Sequence, residues 1–387
     1  MRVLLFLYTE ISYQIERGCI IRIIKVVNSV RVRLVTCLIL CVFFPTFVFA
    51  LPVTTEEHRQ AIVIQEAIFN GEYTRATKIL EGLKLDPYSP LPTLVRMTII
   101  QMVMSEDLKF SREAEFFRES EINGIICDKI VPDPNTDVWH LMLCGASEAM
   151  RSFYYLKKDK TLKAIHHAGR SLIILETAKK KDPDNIDVEL GPALYDFFKS
   201  QFIETKLAFV PFLKDRREES LQTIYKVSLR GVFARNLADF SLGLIALDTN
   251  RKDIAERIFP KMLKKFPNGM VVKIMFAAFL IKSQEYQRAM QTLESMEKTH
   301  PEHVITKYFM GRALTLEGKD LGRAKMHLEE YLKTGPDPDT KGHTYYLLGL
   351  IAEKQGRIED ALALYQRAYD LYPRYKEPLR RLVRLKK

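Results

Sequence analysis

Between Tyr345 and Pro373 the apolar positions recur every third or fourth residue in two runs, "YYLLGLIAEK" and "IEDALALYQRAYDLYP", joined by the polar turn "QGR". Spacing of that kind draws one apolar stripe along a helix, so the stretch predicts two amphipathic helices and a tight turn. Small residues interrupt both stripes at fixed places. Two antiparallel helices approach closely only where little side chain stands between them, and Gly349 and Ala361 fall where that approach is expected. Ala368 then leaves room for the next unit, and Pro373, which lacks an N–H, ends the second helix.

The same framework recurs upstream. Gly243, Ala255 and Pro267 reproduce it, and Ala277, Ala289 and Pro301 reproduce it again after a further 34 residues. Gly311, Ala324 and Pro336 form a looser copy with one residue inserted in the turn "EGKDLGRA". Earlier still, "NGEYTRATKILEGLKLDP" at 70–87 reads as the turn and second helix of another unit. Residues 136–183 hold two long helical patterns, and "PALYDFFKSQFIETKLAFVPFLKDRREESLQTIYKVSL" reads as helix, apolar link and helix.

Gly349, Gly356, Ala361, Tyr365, Ala368 and Pro373 together resemble the signature of the tetratricopeptide repeat, a helix-turn-helix unit of 34 residues. The resemblance implies an all-α, right-handed α-solenoid, with 234–375 as regular repeats, 51–233 as degenerate helical repeats and 376–387 as a capping helix. In that cap Leu379, Leu382 and Val383 share one face, with Arg380, Arg381, Arg384 and Lys387 around it; the alternative is a basic helix for a membrane surface or nucleic acid. The middle region is also similar to bacterial exported repeat proteins and to the tetratricopeptide repeat protein 39-like family, in which a Pro-aromatic link joins long helices. Here "KDRREES" replaces the glycine pair expected after the link, and no functional residue is carried over.

In such an array the first helix of each pair lines a concave groove. The repeat register assigns Leu237, Phe240, Leu244, Val271, Ile274, Ala278, Tyr308, Arg312, His343, Tyr346 and Leu350 to that face. The set is mostly apolar or aromatic, which fits a partner helix or an extended apolar segment. The competing reading is that curvature buries these residues against one another. The Lys and Asn constellation with which some members clamp a C-terminal carboxylate is missing, so recognition of a chaperone tail is not implied.

Composition adds little to the fold and something to the location. Of 387 residues 47% are hydrophobic and 28% charged, a globular balance, and no low-complexity tract stands out. Residues 1–50 carry six Lys/Arg and two Glu, and so hold four of the eleven net positive charges. Arg31 and Arg33 precede an uncharged run, Leu34–Ala50, that contains Pro45 and ends in Val48-Phe49-Ala50. A basic flank, an apolar stretch and small residues at −3 and −1 describe a signal peptide cut after Ala50, with an uncleaved anchor as the rival. Residues 1–29 are long for such a leader, and Met97 is the next methionine, which points to initiation at Val30 or Val32 and a misassigned start.

Three of the five cysteines, Cys19, Cys37 and Cys41, lie in that leader. Cys127 and Cys144 remain, an even pair that an oxidising compartment would join and a reducing one would leave as buried thiols.

Catalytic and cofactor chemistry leaves no local signature. His166 and His167 are adjacent and point to different faces of a helix, so they cannot share a metal. His140 and Cys144 stand one turn apart, a spacing open to a metal ligand pair or a base and nucleophile, but no fourth ligand or orienting acid accompanies them. "HPEH" at 300–303 is the inter-repeat proline turn, not a metalloprotease helix. The expectation is an exported, periplasmic or envelope-associated scaffold that is not an enzyme and uses no cofactor or metal. It binds another protein or peptide in its groove, in envelope assembly or secretion, binds no nucleic acid, and meets the membrane only through an uncleaved leader. The alternative is a carrier of lipid or of a small apolar ligand.

Overall fold

The computed structural model describes residues 56–158, 160–207 and 215–386. The leader at 1–50, its cleavage point, the start at Val30 or Val32 and most of the link "KLAFVPFLK" at 206–214 lie outside them. Val53–Lys387 form one compact unit. Among the described residues the regular structure is helical throughout: α1 Glu56–Phe69, α2 Tyr73–Glu81, α3 Leu91–Asp107, α4 Glu113–Ile130, α5 Val138–Lys157, α6 Thr161–Lys181, a 3₁₀ turn at Ile186–Glu189, α7 Leu190–Leu207 and α8 Arg217–Arg230. The chain continues through α9 Arg235–Thr249, α10 Lys252–Lys265, α11 Met270–Lys282, α12 Tyr286–Thr299, α13 Ile305–Glu317, α14 Leu321–Lys333, α15 Pro338–Lys354, α16 Ile358–Leu371 and α17 Glu377–Leu385. None of these helices is long and apolar enough to cross a membrane.

Consecutive helices pack in pairs, and the first members of the pairs touch each other in a row: α1, α3, α5 and α7, then α9, α11, α13 and α15. That is an α-solenoid, in which each pair buries its apolar face on its neighbours. The row is interrupted between α7 and α9, where α8 packs on α9 instead.

The local reasons for this geometry repeat with the sequence. Asn250, Gln284 and Gly318, at successive 34-residue steps, each take a positive φ (56°, 63° and 80°) and turn the chain from the first helix of a pair into the second. Phe266, His300 and Tyr372 end the second helices in nearly one conformation, with φ/ψ of −123/68, −140/66 and −137/71. Each precedes a proline, Pro267, Pro301 or Pro373, whose ring drives the residue before it out of the helical region. Between paired helices Ala255, Ala277, Ala289, Ala324, Ala361 and Ala368 are all buried. A Cβ on Gly349 would stand 2.5 Å from the Tyr365 ring, and one on Gly311 2.6 Å from Leu328; on Gly243 it would meet Met275 at 3.0 Å.

At the C-terminal end α17 packs on α16. Of the three apolar residues assigned to one face of this cap, only Leu382 is buried, because a nine-residue helix with one neighbour covers a single row; Leu379 and Val383 remain exposed. Polar contacts complete the attachment. Arg381 and Arg384 both pair with Glu353 at the end of α15, and Tyr365 donates to the same carboxylate at 2.5 Å.

Candidate functional site

The inner row α9, α11, α13 and α15 carries the residues assigned to the groove, but little of that lining is free. Val271, Ile274, Ala278, Tyr308, Tyr346 and Leu350 are buried, while Leu237, Phe240, Leu244, Arg312 and His343 are half-buried. The array folds back on itself, and the N-terminal helices supply much of the cover. Helix α3 packs against α11. The Phe69 ring, at the end of α1, lies 5.4 Å from those of Phe240 and Phe266. Asn236 donates to Gln65, which donates to the Phe233 carbonyl, and the Asn268 N–H donates to Asn70. Beyond the end of α3, Lys109 donates to the Thr334 carbonyl at 2.8 Å and the Phe110 N–H to Asp337 at 2.6 Å. An open apolar channel along the whole row is therefore not what these residues form. The apolar surface that the register turns inward is largely satisfied within the chain, as the hydrophobic effect favours wherever a covering helix exists.

Four of the assigned residues do converge on one place. Tyr308 and Arg312 stand one turn apart on α13, and His343 and Tyr346 occupy the facing part of α15. Tyr308 Oη and His343 Nδ1 share a hydrogen bond of 2.9 Å. Tyr375, in the connection to the cap, closes the group with ring centroids 5.2 Å from His343 and 5.1 Å from Tyr346. Tyr331 and Tyr365 flank it from the second helices. Burial, with the positive charge of Arg312 behind it, pushes His343 down to about 3, so its imidazole is neutral; burial likewise raises the Tyr308 phenol.

Arg312 is the cation of this cluster. It lies within electrostatic reach of Tyr308, His343 and Tyr375, and among the described residues it forms no ion pair with a carboxylate. A guanidinium so placed can stack on aromatic rings and offer its paired N–H groups to an acidic side chain. Tyr375 was outside the sequence-derived set because it lies two residues beyond Pro373, past the end of the repeat register. The signal for it is the aromatic pair in "YPRY", which brackets Pro373 just beyond the end of α16.

The other candidate constellation is dismantled. Cys127 of α4 and Cys144 of α5 form a disulfide, with Cα atoms 5.7 Å apart, so neither sulfur is a thiolate nucleophile or metal ligand. His140 Nδ1 donates to the carboxylate of Asp137, the capping residue of α5, at 2.9 Å, and that bond holds the imidazole above its ordinary value. His167 faces Glu148 at 2.6 Å, inside a buried group with Arg151. His166 is exposed.

Residues 342–375 match the tetratricopeptide repeat family model. That segment, α15 and α16 with the turn between them, is one tetratricopeptide-type repeat, and the same small-residue and proline framework recurs in the preceding helix pairs. Proteins built of such repeats present extended surfaces to other polypeptides. No curated protein matches the chain. Among solved structures, a tetratricopeptide repeat protein from Parabacteroides merdae is 16% identical, with a TM-score of 0.46, covering 74% of this chain and 99% of that one. Yeast Tom70 is 13% identical, with a TM-score of 0.42, covering 85% and 80%.

Proposed function

We propose that this protein is an exported scaffold that binds a partner polypeptide non-covalently, through the inner face of its last two repeats, in assembly or secretion at the cell envelope. The observation that carries the reading is Arg312, a half-buried guanidinium without a carboxylate partner among the described residues, set among Tyr308, His343, Tyr346 and Tyr375. An acidic side chain of the partner would supply the missing charge, and an apolar or aromatic neighbour would rest on the tyrosines. Export is supported by the leader pattern in the sequence and by the Cys127–Cys144 bond, which suits an oxidising compartment. The carrier alternative draws no support from the lining, since most of its apolar residues are covered by the chain's own helices.

The test is affinity capture from the source cell's envelope fraction with wild type and Arg312→Glu side by side. Proteins retained by wild type, released progressively by salt and lost by the folded variant are the expected result. Identical retention by both would overturn the assignment of the face. Determination of the mature N-terminus tests export separately: Leu51 is expected, and an intact N-terminus on purified envelope material would refute cleavage.

A further inference from the structure

The connection between α12 and α13 reads His300-Pro301-Glu302-His303. It is a turn in which the His303 N–H donates to the His300 carbonyl at 3.1 Å. Proline is favoured just after the first residue of such a turn, because its fixed φ is already the one the turn needs. The turn brings its first and fourth residues together without any helix. The two imidazoles thereby meet on one side of the chain: His300 Nδ1 lies 3.4 Å and His303 Nε2 3.6 Å from the same oxygen, Glu302 Oε1. All three ligand atoms fall within 4.8 Å of one another.

Those separations have a chemical meaning. Bonds of about 2.0–2.1 Å in a tetrahedral zinc site place neighbouring ligand atoms about 3.3–3.4 Å apart, so two of the three edges stand near their coordinated length. The remaining edge, between the two imidazoles, lies within 4.8 Å. Glu302 is exposed and the two histidines half-exposed, which gives an ion a path from solvent. No lysine or arginine competes for the carboxylate among the described ion pairs, whose only partners for Glu302 are the two imidazoles.

We propose that His300, Glu302 and His303 form a three-ligand site for a divalent cation of zinc's class, held by two nitrogens and one oxygen, with the fourth position left to water or to a partner's side chain. Mixed imidazole and carboxylate donors suit Zn²⁺, Co²⁺ and Ni²⁺ better than Ca²⁺ or Mg²⁺, which take oxygen alone. The neutral imidazole is the form that coordinates, so binding should weaken as pH falls through the histidine range. Pro301 rules out a helical His-Glu motif at this segment. A turn achieves the convergence by other means. An ion bound there would lock the hand-over from α12 to α13.

The full chain, stripped with chelator, should be titrated with Co²⁺ alone by visible absorption and then with Zn²⁺ by calorimetry. One equivalent is expected, with Zn²⁺ displacing Co²⁺ and its band, and with an upward shift in Tm. His300→Ala and His303→Ala should each weaken binding at least tenfold and abolish the shift, whereas His140→Ala and His166→Ala should leave both unchanged. Glu302→Gln keeps the turn and should weaken binding less; it serves the test if a histidine variant misfolds. Absence of stoichiometric binding, or binding untouched by the His300, Glu302 and His303 variants, overturns the site.

Discussion

Phe69, the last residue of α1, lies ring to ring against Phe240 of α9 at a centroid distance of 5.4 Å, although the two are 171 positions apart in the sequence. This contact joins the first repeat to the inner row that the regular repeats build. It also explains why a concave face assigned from register is not an empty one. Curvature alone would leave Phe240 and Ile274 facing solvent; the fold-back of α1 and the packing of α3 on α11 bring other helices there.

The closure should be measurable as coupling. Phe69 is buried and Phe240 half-buried, so Phe69→Ala is expected to cost about 3–5 kcal/mol and Phe240→Ala about 2 kcal/mol. The double variant should lose about 1 kcal/mol less than the two together, the usual size of an aromatic pair's mutual contribution. Urea denaturation of the four proteins gives the cycle. Full additivity would mean that the two rings share a location without sharing energy.

How much of this was legible follows from what kind of signal each part leaves. The repeats from α9 onward were readable because small residues and prolines recur at one period, and the structure puts those residues at close helix contacts and turns. The contribution of α3 left no such signal. "LPTLVRMTIIQMVMSED" is apolar on nearly every side and therefore has no stripe to orient it, yet that very lack is the mark of a helix buried all round. Helix α11, "MVVKIMFAAFLIK", has the same character, and the two are in contact. Register could say which side of α11 turns inward. It could not say what covers that side, because the covering helix comes from far upstream and its pairing has no local signature. The aromatic cluster is legible in part for the same reason: Tyr308, Arg312, His343 and Tyr346 sit at repeat positions, and Tyr375 does not.

Reduction should weaken the N-terminal half. The Cys127–Cys144 bond closes a loop across a sequence separation of 17, for which chain entropy gives about 3 kcal/mol of stabilisation. Under dithiothreitol, or in a Cys127→Ser, Cys144→Ser variant, the denaturation midpoint should fall by an amount of that order. An unchanged midpoint, with mass spectrometry verifying two free thiols in the reduced sample, would show that the bond has no share in stability.

Glu148 offers a sharper contrast between removing a charge and replacing a pair. Its side chain and that of Arg151 are almost fully buried and meet at 2.7 Å, while His167 and Arg170 approach the same carboxylate. Burial alone would raise the Glu148 carboxyl, but the hydrogen bond from His167 and the charges of Arg151 and Arg170 hold it below its ordinary value. Glu148→Ala strands a buried guanidinium and is expected to cost about 3–5 kcal/mol, whereas Glu148→Leu with Arg151→Met should recover most of that loss. Recovery is the decisive reading. A double variant as unstable as the single one would assign the cost to lost packing instead.

Acid should unfold the protein in a window set by its buried histidines. Burial holds His343 near 3 and keeps His303 and His327 below their ordinary values, and neither ring nitrogen of His327 has a hydrogen-bond partner. Each such group binds a proton more readily in the unfolded chain, so stability is fully present above about pH 6.5 and is lost as pH falls from there toward the folded value. For His343 alone the loss by pH 5 is about 2 kcal/mol. His140, raised by Asp137, contributes in the opposite sense: its share is present in acid and fades as pH rises through its folded value. His343→Gln retains an amide that can hydrogen-bond Tyr308 and removes the titration, so between pH 7 and 5 it should lose about 2 kcal/mol less stability than wild type. Equal losses in the two proteins would move the acid sensitivity away from the Tyr308–His343–Arg312 cluster and onto His327 and His303.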